Sequence, residues 1–164
     1  MSRKPKLSMA LHELHRSENE LYTVLLSMSD RHKAEHEVFH VTRTMARWSE
    51  QHVAELAAVG RQFDLDLDPE AKHPSGLLER LQQKTSELTG RRSAPGLLLL
   101  ADLRHLYREA GGTALDWELL AQGAQGAKNK DLLDFAERCH PQTLRVSKWA
   151  EAKLKESSPQ VLAG

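Results

Sequence analysis

The sequence predicts an all-α protein, a four-helix bundle made of two helical hairpins joined by one long crossover. Three observations carry this reading. Apolar residues recur at helical spacing along four long segments, and no segment alternates as a strand does. Two of the three links are short, and the third runs from Asp64 to Pro95. With 164 residues, the chain suffices for one domain with a substantial core.

The first helix is expected from about Leu7 to Met28, with residues 1–6 a disordered basic tail. Its inner stripe reads Leu7, Leu11, Leu14, Glu18, Leu21, Leu25 and Met28. Ser29-Asp30 supplies a turn and an N-cap for the second helix, which continues to about Phe63. There the stripe is Met45, Ser49, His52, Leu56, Val59 and Phe63, and the first turns are polar on all sides. Asp64 to Gly76 carries alternating Asp, two prolines and a glycine, and reads as a loop. Leu77 to Leu88 predicts a short amphipathic helix within the crossover, and Gly90 to Gly96 breaks the chain again.

The third long helix is expected over Leu97 to Gln122, its inner face being Leu100, Leu103, Tyr107, Ala110, Ala114, Trp117 and Ala121. Gly111-Gly112 in its middle costs about 1 kcal/mol per residue relative to alanine. That expense marks either a close helix approach or a local break. Gly123 to Lys130 leads into a fourth helix over Asp131 to about Glu156, which Pro141 should bend. The domain is thus expected over residues 7–156, with 157–164 a disordered tail. Two hairpins joined by one long crossover is the ferritin-like arrangement.

Composition excludes several functions. Lys and Arg number 23 and Asp and Glu 23, so no net field attracts nucleic acid or an anionic membrane. The longest strongly apolar run, Leu97 to Ala101, falls far short of the roughly 20 residues a membrane span needs. The single cysteine, Cys139, fits a reducing compartment, and no apolar leader is visible near the N-terminus; both predict a cytoplasmic protein. No Ser-His-Asp set, phosphate loop or cysteine-rich zinc pattern is present, and Cys139 reads as a structural thiol.

Glu18 and His52 stand out because each is polar where the helical rhythm asks for an apolar residue. A carboxylate and an imidazole on facing inner surfaces build metal sites in bundles. They also form buried ion pairs that only hold register. A di-metal site in this fold needs a glutamate from each of two helices and a Glu-x-x-His from each of the others. Glu137-Arg138-Cys139-His140 supplies one such unit, but Ser49 precedes His52 where a glutamate is needed, and the third helix has no inner acid. A metal-free bundle with Glu18 paired to His52, Tyr107 or His140 is the competing expectation.

Leu14-His15-Arg16-Ser17-Glu18-Asn19-Glu20-Leu21 resembles the first-helix motif of small ferritin-like bacterial proteins, nearest the stress-associated YciF-like (DUF892) group. Glu50-Gln51-His52-Val53-Ala54-Glu55-Leu56 resembles the histidine-bearing stretch of their second helix. The resemblance implies a bacterial stress-related protein with a reduced or lost di-metal site. Any remaining iron or manganese would be held by Glu18, His52, Glu137 and His140, with Tyr107 beside it. His36-x-x-x-His40 and His105-x-x-x-Glu109 also resemble hemerythrin-like bundles, but the other ligands do not follow that order. His32, His36 and His40 recur every four residues and read as one polar helix stripe, and His15 as a neighbour of Glu18. The alternative function is a non-catalytic structural or interaction module that self-associates, as a dimer in the simplest case, or binds a protein partner. Trp48 and Trp149 are its candidate anchors.

Overall fold

The computed structural model describes residues 5–72 and 94–164, and among them the only regular structure is helical. Helix α1 spans Pro5–Arg31 and α2 His36–Gly60, followed by a 3-10 turn at Arg61–Phe63. Helix α3 spans Pro95–Gly126 and α4 Lys130–Ala163. Pro95 opens α3 where its missing N–H is not needed. Asn129 caps α4, its side chain accepting from Leu132 N at 3.1 Å. The expected short helix over Leu77–Leu88 lies outside the described residues.

Cross-helix contacts fix the directions. Along α1 and α2, Ser8 meets Phe63, Glu18 meets His52, and Ser29 meets Phe39, so the two helices are antiparallel. Ser17 bonds Asp116 and Arg31 bonds Asp102, so α3 is antiparallel to α1. Glu37 meets Lys153 and Glu55 meets Arg138, so α4 is antiparallel to α2. Helices α2 and α3 therefore run the same way, and the described start of the connection, residues 64–72, turns back along the bundle. These residues lie against α1. His15 Nε2 lies 2.8 Å from the Asp68 carbonyl, and Lys72 N donates to Asn19 Oδ1 at 2.7 Å.

Two apolar clusters fill the interior. One gathers Leu21, Leu25, Met45, Leu103 and Leu106, and the other Leu11, Leu14, Leu56, Trp117 and Leu120. Glu18 and His52 sit in sequence between the two groups on α1 and α2, forming a polar layer across the core.

Several expectations need correction. Helix α1 runs past Ser29-Asp30, so His32 falls in the turn at 32–35, is 6% exposed, and shares no helical stripe with the exposed His36 and His40. Tyr107 is 45% exposed because α3 turns Leu99, Leu103 and Leu106 inward, a register that carries position 107 to the outside. Gly111 and Gly112 mark neither a break nor a close approach. The helix is continuous, and a Cβ at either position would meet nothing within 4 Å. The close approaches are at Gly123, where a Cβ would lie 2.9 Å from Leu7, and Gly96, where it would lie 2.7 Å from Val161. That second contact seats the last turns of α4, which stays helical through residues 157–163 expected as tail. Pro141 lies within α4 without ending it, and both Pro141 and Glu137, whose carbonyl loses its helical partner, are exposed.

Candidate functional site

Every helix of the bundle contributes to the centre around Glu18. The Glu18 side chain is fully buried, and its Oε1 faces three donors. His52 Nδ1 from α2 lies at 3.1 Å, Trp117 Nε1 from α3 at 2.8 Å, and Thr143 Oγ1 from α4 at 3.0 Å. The other Glu18 oxygen, Oε2, is buried and has no hydrogen-bond partner among the described residues. Ring packing supports the donors: His52 and Trp117 meet edge to face with centroids 5.4 Å apart, and Trp117 meets Phe135 likewise at 5.3 Å.

The surroundings of His52 favour its charged form. Its Nδ1 faces the Glu18 carboxylate, and its Nε2 lies 2.8 Å from Gln142 Oε1, so both ring nitrogens point at acceptors. Burial works against the imidazolium, but the neighbouring Cys139 sulfur and the hydrogen bond and charge of Glu18 hold the pKa up at about 10. Cys139 is itself buried, with Sγ 3.6 Å from Glu55 Oε2. Burial pushes its thiol pKa up against the opposing influence of the nearby His52, so it stays protonated at neutral pH.

The four residues expected as metal ligands separate into two groups. Glu18 and His52 are in direct contact, whereas Glu137 is exposed and His140 half-buried on α4. Among the described residues, no three of His, Cys, Asp and Glu are grouped to hold a metal ion. A metal would also require His52 to give up a ring proton. Among the described residues, the ligands that a di-iron or di-manganese centre of this kind needs are therefore not brought together.

Of the expected partners for Glu18, the centre uses His52, while Tyr107 lies outside and the hydroxyl and indole donors come from Thr143 and Trp117. His15 turns to the crossover backbone instead. A second polar cluster, absent from the sequence reading, clamps the first hairpin to α3. Asp102 accepts from Arg31 Nε at 3.0 Å and Nη2 at 2.9 Å, and meets His32 Nε2 at 2.7 Å. Burial pushes the Asp102 pKa up, but the bonds from His32 and Arg31 outweigh it and hold the carboxyl below its ordinary value. The signal was available, since Asp102 interrupts an apolar run as Glu18 does.

Comparison with protein-family models, curated proteins and solved structures finds no significant match. Among the described residues, no helix is long and apolar enough to cross a membrane.

Proposed function

We propose that this chain is a ferritin-like bundle whose inner carboxylate holds helix register in place of a di-metal centre, and that it acts as a non-catalytic binding module. One observation carries the reading: Glu18 Oε1 is engaged by donors from all three other helices. Donors crowd one of the two oxygens through which a carboxylate bridges cations, and His52 keeps both nitrogens turned to acceptors. The parallel run of α2 and α3 supports the ferritin-like connectivity. The exposed Leu115 and Leu119, one turn apart on α3, favour association with another protein surface. A stress-related role rests on the sequence resemblance.

A second reading keeps a cation at the centre, favoured by the bare Glu18 Oε2. Calorimetric titration of untagged protein with Mn²⁺, and anaerobically with Fe²⁺, separates the two. No saturable binding at micromolar concentration supports the register role. Stoichiometric binding that disappears in Glu18→Ala contradicts it.

A further inference from the structure

Among the described residues, α2 and α4 approach each other less closely than the other neighbouring helix pairs do. The seam between them opens into a groove of about 280 Å³. Trp48 and Trp149 are half-buried in its walls, Val41 and Met45 are its apolar lining, and His40 and Arg145 are exposed at its rim. Both charged or ionisable side chains of the lining are basic types, and Arg145 makes no ion pair with any described residue. A guanidinium is cationic at every working pH.

The groove is short. Towards one end Glu37 binds Lys153 across the seam at 2.6 Å, and towards the other Glu55 binds Arg138 at 2.9 Å. Glu37, which also accepts from Trp149, and Glu55 are thus each engaged by a cation. From Val41 to Trp48 the α2 wall covers only about 10 Å at the helical rise. A docked helix would have to ride over these two bridges, whereas a compact molecule fits between them. The volume lies near the lower bound, about 300 Å³, of small-molecule sites.

The geometry points to a binding site for a compact, flat, apolar carboxylate: its ring or short chain lies between Trp48 and Trp149, and its carboxylate pairs with Arg145. This inference deepens the reading of the chain as a binding module and is independent of whether the Glu18 centre takes a metal. Aromatic walls supply the apolar contact. The planar guanidinium supplies a paired hydrogen bond that a neutral amide does not match.

The test uses the full chain and 2-naphthoate, followed by calorimetry and tryptophan fluorescence, with 2-naphthamide as the neutral analogue. The site predicts saturable one-to-one binding with quenching. Arg145→Gln, an exposed substitution, weakens naphthoate about tenfold or more and leaves the amide unchanged, and Arg145→Glu weakens it further. Absence of saturable binding up to millimolar naphthoate overturns the inference, as does equal affinity in Arg145→Glu. So does light scattering that shows a dimer which Trp149→Ala dissociates, since a second copy would then occupy the groove. Metal content is measured separately, so failure here leaves the Glu18 reading to its own titration.

Discussion

Trp117 Nε1 and Thr143 Oγ1 approach the same oxygen of Glu18, at 2.8 and 3.0 Å, from helices that belong to one hairpin while Glu18 belongs to the other. The carboxylate thus ties the two hairpins at one level of the bundle. Sliding either hairpin by one turn would leave Glu18 with His52 but strip it of the Trp117 and Thr143 donors, a loss of buried hydrogen bonds that the same slip between apolar stripes does not incur.

Removing single donors should expose this dependence. Trp117→Phe keeps most of the ring and deletes the N–H, and should cost about 2 kcal/mol. Thr143→Val should cost about 1–3 kcal/mol for the same reason. Glu18→Ala leaves the buried imidazolium unpaired and should cost about 3–5 kcal/mol. Urea unfolding measures all three, and the Trp117→Phe/Thr143→Val double variant should depart from additivity because both donors share one acceptor.

Stability should fall on the alkaline side earlier than lysine titration explains. The folded pKa of His52 is raised from 6.5 to about 10, so its contribution is complete below pH 6.5 and is lost as pH rises towards 10. Asp102 has the opposite sign. Its folded pKa is lowered from 3.8, so its contribution is present above that value and is lost as pH falls through the folded pKa. Thermal unfolding between pH 5 and 9 should show a falling Tm above pH 6.5 in the native sequence and a lower, flatter profile in His52→Gln.

The Asp102 clamp is a separate liability. Asp102→Asn removes the charge opposite Arg31 and His32 and should cost about 3 kcal/mol or more. Its effect should add to that of Trp117→Phe in urea unfolding, because the two sites share no partner.

Some positions carry expense without return. Gly111→Ala and Gly112→Ala should each stabilise by up to about 1 kcal/mol, since both lie in α3 with open space around the added methyl group. Lys128 has a φ of 56°, in the left-handed region just past α3, so Lys128→Gly should also raise the Tm. A fall in Tm for any of the three would show that the helix end or its middle is held differently.

The parts of the fold legible in sequence were those written in the rhythm of one helix at a time. Glu18 and His52 betrayed themselves by breaking an apolar stripe, and their mutual contact followed from facing positions in one hairpin. Trp117, Thr143 and Gln142 as partners depend on the rotation and level of helices in the other hairpin, which periodicity within one helix does not set. Position 107 illustrates this, since choosing Leu106 or Tyr107 for the core turns on about 100° of helix rotation. The last turns of α4 look like a tail because Ser157, Ser158 and Pro159 are poor helix formers. The contact of Val161 with Gly96 supplies the tertiary support that propensity omits.

In the proposed reading, a doubly protonated His52 and not a metal ion balances Glu18. Side-chain ¹⁵N NMR of His52 at pH 8, before and after addition of Mn²⁺ or Zn²⁺, tests it most directly. The account predicts protons on both ring nitrogens and a spectrum unchanged by either ion. A neutral ring with one bare nitrogen, or loss of a ring proton when metal is added, would contradict it.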